Sequence, residues 1–402
     1  MLPYMRKRPS ASRSERLPWR EGNRFEILVD GPVFFPRMLA AIAAARRYVF
    51  LEMYLVSSGD VATRFIEALI RAADRGIPVH VLLDDFGADG LKAHDRARLA
   101  HPNIRLAYYN PLSSRNPFYH VYRIFWRRAA QDLHRNHRKL LLIDGELAFV
   151  GGAGIADQFD PSVAPQTCWR ETMLAVQGAS VGDWQQLFKD TWLDCTSSPI
   201  GTALADAPVI PDGAMGRVSM SDAHHRRDLQ RSVIRKIRRS KRRVWFATAY
   251  FVPSWRLRRN LKLAARHGVD VRLLLPGPIT DLPGVRHASR RYYGRLLKNG
   301  VRIFEYQTRF LHAKTVLCDE WVTIGSSNFD RWNLQWNLEA NQEANDAALA
   351  DEVATMFEQD FSVAHEYSED EWQRRRWSLR VLEWVWRQVE LITLKITARR
   401  RR

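Results

Sequence analysis

One arrangement of residues occurs twice in this chain: a histidine, a lysine two positions on, and an aspartate five beyond that. The copies are His137-Arg138-Lys139-Leu140-Leu141-Leu142-Ile143-Asp144 and His312-Ala313-Lys314-Thr315-Val316-Leu317-Cys318-Asp319. Each soon reaches a turn of small residues, Gly151-Gly152-Ala153-Gly154 in one and Gly325-Ser326-Ser327-Asn328 in the other. A single copy is a common accident of strand sequence; two in matching surroundings are not. Together they offer two imidazoles and two ammonium groups to one site. That set suits attack on a phosphodiester, which is anionic and has a poor alkoxide leaving group. Lys139 and Lys314 neutralise the non-bridging oxygens where water is excluded. One neutral imidazole attacks phosphorus to give a covalent phosphohistidine, while the other protonates the leaving oxygen. The roles then reverse for an incoming alcohol or water. This chemistry calls for no cofactor and no metal, and no carboxylate cluster suited to a metal accompanies the motifs.

The elements that must position these groups repeat as well. Arg46 to Leu55 (RRYVFLEMYL) finds its partner in Arg242 to Phe251 (RRVWFATAYF), and Ala72 to Leu83 (AADRGIPVHVLL) in Ala264 to Leu275 (AARHGVDVRLLL). Asn103-Ile104-Arg105-Leu106 matches Gly300-Val301-Arg302-Ile303 just before each motif. Each half therefore reads strand, helix, strand, helix, strand, then the motif strand. Short apolar runs alternating with amphipathic helical patterns indicate α/β units with largely buried sheets. The expected fold is a duplicated α/β fold with halves at 24–200 and 215–365. A basic flexible arm (1–23) precedes them and a Trp/Arg-rich amphipathic extension (366–402) follows.

Composition bounds the setting. No run of eighteen apolar residues offers a transmembrane span, and the basic N-terminus lacks the apolar stretch of a secretory signal. Three cysteines (Cys168, Cys195, Cys318) without metal-ligand spacing fit a reducing, cytoplasmic compartment. A net charge of +18 favours a polyanionic partner, either nucleic acid or an anionic membrane. Tryptophans beside arginines, as in Phe125-Trp126-Arg127-Arg128 and Trp377-Ser378-Leu379-Arg380, suit a lipid headgroup layer; they also suit stacking on bases. The tail from Trp372 reads either as a helix docked on the protein's own core or as an interfacial helix ended by the Arg399–Arg402 cluster. One asymmetry separates the halves. Residues 110–136 intervene before the first motif where only 307–311 precede the second. That insertion, rich in aromatics and arginine, reads as a surface lid with a small core of its own or as a loop that touches lipid and admits a headgroup. His120, His134 and the pair His224-His225 read as bystanders.

The paired motif resembles the phospholipase D superfamily, and within it the bacterial cardiolipin synthases of the type without N-terminal transmembrane helices. The resemblance rests on Leu51-Glu52-Met53-Tyr54, Asn136-His137-Arg138-Lys139, Phe149-Val150-Gly151-Gly152, Trp169-Arg170-Glu171-Thr172, Tyr250-Phe251-Val252-Pro253 and the second motif, and spans roughly residues 25–365. It implies a phospholipase D-like fold of two α/β halves, with mixed sheets flanked by helices and one shared active site at their interface. It also implies His137 as nucleophile and His312 as general acid/base. Ser326 and Asn328 would donate to phosphate, and Glu171 and Glu339 stand where the family places an acid that orients a histidine. Asp144 and Asp319 complete the motifs, although a structural role at the strand end is the better reading of both. Where the family has Asn in the first turn, this chain has Gly154, so backbone N–H groups must substitute. The implied activity is transfer of a phosphatidyl group through phosphohistidine onto the glycerol hydroxyl of phosphatidylglycerol, by a peripheral protein on the cytoplasmic face of a bacterial membrane. Its partners would be anionic phospholipids, with no obligatory nucleic acid or protein partner. A hydrolytic phospholipase D, a nuclease of the same superfamily and a non-catalytic membrane scaffold are the rival readings.

Overall fold

The computed structural model describes residues 17–111, 134–221, 228–329 and 337–375. The first half lays its strands in the order β1 (Arg20–Val29), β8 (Thr172–Gly178), β6 (Leu147–Gly151), β5 (Lys139–Ile143), β2 (Val49–Met53), β3 (Val79–Asp84) and β4 (Ile104–Tyr109). The second repeats it as β9 (Ala214–Ser221), β16 (Glu339–Asn345), β15 (Trp321–Gly325), β14 (Thr315–Cys318), β10 (Arg243–Ala247), β11 (Asp270–Pro276) and β12 (Arg302–Tyr306), and adds β17 (Ala364–Tyr367) at the edge. In each half the three strands joined through helices run parallel, and the other neighbours pair antiparallel. The duplicated α/β architecture is therefore explicit in the topology. The halves join edge to edge through β1 and β9, giving one mixed sheet of 15 strands among the described residues.

Strands such as Val49–Met53 and Lys139–Ile143 are buried at every residue, because helices or the other half cover both faces. The helix Asp60–Asp74 turns Val61, Phe65, Ile66, Leu69, Ala72 and Ala73 inward, the spacing of a one-sided apolar stripe. Ser254 caps the helix Trp255–Arg266 by accepting from the Leu257 N–H, and Asp346 caps Ala347–Ser362 through Leu349. Each half has an outer core of its own beneath these helices. A third core draws Phe50, Leu142, Leu174 and Trp184 together with Trp245, Leu317, Ile324 and Phe357 from both halves. The helices Ser180–Thr196 and Ala347–Ser362 supply much of it.

Both ends of the fold extend past the expected limits. The arm was expected to run to residue 23, but β1 begins at Arg20, whose guanidinium forms two hydrogen bonds to Asp183 at 2.7 and 2.8 Å. The extension was expected from 366, but β17 runs to Tyr367 and Trp372 is buried against Tyr293 and Tyr367. An aromatic core contact thus recruits what the sequence placed outside. Most of the insertion (112–133), the tail from 376, His120 and His224-His225 lie outside the described residues. Among the described residues no helix is long and apolar enough to cross a membrane.

Candidate active site

Each motif lies where its strand begins. Lys139 heads β5 and pairs with Met53 at the carboxyl end of β2; Thr315, next to Lys314, pairs with Ala247 at the carboxyl end of β10. Alternate strand residues share a face, so the spacing of two brings each Lys under its His. The carboxyl ends of the parallel strands in both halves thereby border the same site, a usual place for ligands in α/β folds.

The site is assembled crosswise. His137 of the first half places Nδ1 3.0 and 3.2 Å from the two carboxylate oxygens of Glu339, which belongs to the second. His312 of the second half likewise hydrogen-bonds through Nδ1 to Glu171 of the first. The backbone enforces the exchange. The His137 N–H donates to Leu338 O (2.9 Å), next to Glu339, and the His312 N–H donates to Arg170 O (2.8 Å), next to Glu171. A short parallel pair, β7 (Trp169–Arg170) with β13 (Phe310–Leu311), completes the second link. Both glutamates are fully buried.

The lysines sit among these groups. Lys139 Nζ donates to His137 O at 2.6 Å and lies 5.0 Å from the centroid of the Tyr54 ring. Lys314 Nζ lies 2.9 and 3.1 Å from the His312 ring nitrogens and 3.5 Å from Glu171. Burial pulls the Lys139 ammonium down to about 7, with Glu339 opposing and Lys314 adding to the fall. Burial lowers Lys314 as well, against the pull of Glu171 and Glu339. His137 is lowered by burial, which outweighs Glu339; His312 is lowered well below the usual range by burial and by both lysines. Burial raises Glu171, against Lys314. Burial in a dry site, joined by both lysines, thus favours the neutral form of both imidazoles, against the pull of Glu339 on His137.

The remaining candidates divide. Asn328 is buried with neither side-chain amide atom engaged, so donor and acceptor are both available to a ligand. Ser326 has another task than the one expected. Its only hydroxyl proton goes to Glu339 (2.5 Å) while its oxygen accepts from the Ala340 N–H, so it holds Glu339 rather than phosphate. In the first half the matching position is Gly152, where any Cβ would strike the Glu171 carboxylate. Gly154 offers no site for a side-chain donor either, because a Cβ there would stand 2.6 Å from Leu55 O. Asp144 and Asp319 lie beyond the far ends of their strands. Asp144 accepts from the N–H groups of Arg46, Arg47 and Tyr48 at 2.8–2.9 Å, and Asp319 from those of Lys241, Arg242 and Arg243 at 2.9–3.0 Å. They are structural, not catalytic: each fixes the entry to the neighbouring strand. His134 pairs with the Tyr109 hydroxyl (2.7 Å).

Aromatic walls escaped the sequence reading. The Tyr54 ring lies 4.5 Å from His137, and Trp169 lies 4.9 Å from His312. The available signal was the tyrosine repeated at Tyr54 and Tyr250. Asn136, next to His137, donates to buried Glu52 at 2.6 Å, and its N–H donates to Asp84 at 2.8 Å. Among the described residues no group of three or more His, Cys, Asp or Glu is placed to hold a metal ion.

Comparison with known proteins agrees with this geometry. The family model described as "Cardiolipin synthase, PLD-like domain" matches residues 38–192 and 233–361, one stretch in each half. The chain belongs to this family. It is 33% identical over 323 residues to cardiolipin synthase B of Salmonella typhi, covering 79% of this chain and 75% of that protein. Cardiolipin synthase 1 of Bacillus cereus is 27% identical over 370 residues, covering 89% and 70%. Among solved structures, the phosphatidylserine synthase of Haemophilus influenzae superposes with a TM-score of 0.69 at 13% identity, covering 92% of this chain and 94% of that one. That likeness shows the fold of the family.

Proposed function

We propose that the protein is a phosphatidyltransferase that forms cardiolipin on a bacterial membrane, moving a phosphatidyl group onto the glycerol hydroxyl of phosphatidylglycerol. Membership of the cardiolipin synthase family supports transfer of this kind. The observation that carries the reading is the crosswise pairing of two imidazoles with two buried carboxylates beside two lysines. With Nδ1 of His137 donating to Glu339, the lone pair on Nε2 is the nucleophile. It bonds to phosphorus as the bond to the leaving alkoxide breaks, and His312, which takes up a proton on Nε2 when the anionic phosphodiester enters, gives that proton to the leaving oxygen. The acceptor hydroxyl then returns a proton to His312 and attacks phosphorus, breaking the P–N bond and releasing His137. Lys139, Lys314 and the Asn328 amide hold the phosphoryl oxygens and offset their charge. Attachment to the bilayer is peripheral, at its cytoplasmic face.

The test is incubation of the full chain with vesicles of labelled phosphatidylglycerol. Cardiolipin with release of glycerol is the expected product pair. Phosphatidic acid alone would replace transfer by hydrolysis, and an unchanged lipid would remove the reading. A denaturing quench at alkaline pH should trap acid-labile label on His137; label on a serine would refute the phosphohistidine step.

A further inference from the structure

Four large apolar side chains left exposed in the described fold stand on segments that follow the strands bordering the site, while Val33, Leu193, Val209 and Val363 are exposed on other elements. Phe86, Trp255, Ile279 and Leu282 are 56, 62, 49 and 48% exposed. Each follows the carboxyl end of a parallel strand. Phe86 lies just after β3, Trp255 opens the helix after β10, and Ile279 and Leu282 flank the loop after β11. Contacts tie these loops to the reacting groups. The guanidinium of Arg135, two residues before His137, stands 5.3 Å from the centroid of the Phe86 ring. Asp281, between Ile279 and Leu282, accepts the Tyr250 hydroxyl at 2.5 Å and lies close enough to Lys314 for that charge to lower its pKa, against the larger upward effect of burial.

Positive charge accompanies the apolar groups. Arg256 and Arg259 are exposed on the helix that Trp255 opens, with the Arg259 guanidinium 5.4 Å from the Trp255 ring. Apolar tips beside arginines are what the boundary between headgroups and acyl chains accepts: indole and aliphatic groups enter it, and long basic side chains keep their charge at the phosphates. The chain's charge of +18 favours an anionic surface over a neutral one. A protein seated on this rim would close the mouth of the site, whereas a bilayer would deliver substrate to it.

We propose that Phe86, Trp255, Ile279 and Leu282, with Arg256 and Arg259, form a docking surface for an anionic lipid bilayer that seats the mouth of the site on the membrane. The inference rests on the phospholipid reading above and adds the groups that hold the protein to its substrate.

The experiment uses the full chain with Trp255→Ala, Ile279→Ser and Leu282→Ser combined, and separately with Arg256→Glu and Arg259→Glu combined. Co-sedimentation is measured with vesicles of phosphatidylglycerol and phosphatidylcholine in equal parts, and with phosphatidylcholine alone. Turnover is measured on short-chain phosphatidylglycerol dispersed below its micellar concentration. The apolar variant should bind mixed vesicles about tenfold more weakly or worse, with turnover of the dispersed lipid within about twofold of the parent chain. The charge-reversed variant should lose its preference for the anionic vesicles. Val209→Ser alters an equally exposed side chain beside Gly22, at the opposite end of β1 from the site, and should leave binding unchanged. Undiminished binding by the apolar variant would overturn the proposal. So would intact binding with a lowered melting temperature or lost self-association, which would assign the rim to the chain itself or to a second copy. Rim-dependent binding without lipid turnover would instead sink the transferase reading and leave the docking surface standing.

Discussion

Burial pulls the Lys139 ammonium down to about 7, and this gives the pH profile a testable sign. The group must be charged to meet phosphate, so kcat/KM, which reports the free enzyme, should fall as pH rises through about 7. A bound phosphoryl anion stabilises the ammonium, so the alkaline limb of kcat should lie at higher pH; coincident limbs in kcat and kcat/KM would count against the assignment. His137→Ala and His312→Ala should each reduce turnover by about a thousandfold or more, and the double variant should be little worse than either, because groups acting as a unit do not add. Glu339→Gln keeps the shape of a residue that acts through His137 but permits the wrong tautomer. It should cost on the order of 10²–10⁴-fold in kcat with KM nearly unchanged. A rise in KM alone would make Glu339 a binding group instead. At this scale the histidines and lysines were legible, because reactive residue types at fixed spacing recur in the text of the chain. Which carboxylate serves which histidine was not. Spacing along one half carries no information about a partner supplied by the other, and the gap at Gly152 that admits Glu171 has no side chain to betray it.

The motif strands show how an element can preserve a pattern for mechanical reasons. Asp144 and Asp319 each cap three N–H groups at the start of the adjacent strand, far from the chemistry. Asp144→Ala should lower stability by about 2–3 kcal/mol in denaturant titration, the cost of stranding buried donors, while turnover of the folded fraction is retained. Loss of turnover at full stability would restore a catalytic role. The turn after β6 reverses an expectation drawn from sequence. A family-like asparagine at position 154 should preserve activity if a hydrogen-bond donor were all the turn lacked. Because a Cβ there would press on Leu55 O at 2.6 Å, Gly154→Asn should instead lower the melting temperature and the yield of folded protein. Strand and helix order was readable from the alternation of apolar runs and amphipathic segments. The limits of the fold were not, because Arg20 and Trp372 find their partners, Asp183 and Tyr293, far away in sequence.

Across the described residues the halves share a central core and a buried ion pair outside the reacting groups. Arg170, almost fully buried, donates to Asp360 at 3.0 and 2.8 Å, linking the first half to the last long helix of the second. Asp360→Ala would strand that guanidinium beside Glu171 and should cost about 3–5 kcal/mol, read as a lower denaturation midpoint. Because the central core is built from both halves, unfolding should remain a single transition in calorimetry. Two resolved transitions would mean that the halves are thermodynamically separate. The duplication itself was plain from repeated sequence, whereas the joining of the two sheets through β1 and β9 was hidden, since edge pairing there is short and irregular in register.

The exchange of glutamates between the halves bears on how such a chain can change over generations. After an ordinary duplication one copy is spare and free to drift. Here a lesion in either copy is felt by the histidine of the other, because Glu171 serves His312 and Glu339 serves His137. Neither copy can be silenced without disabling its sibling, so redundancy ended when the partners were exchanged. What could still diverge were the parts outside the exchange: Gly152 opposite Ser326, Gly154 opposite Asn328, and the long insertion present in one copy alone.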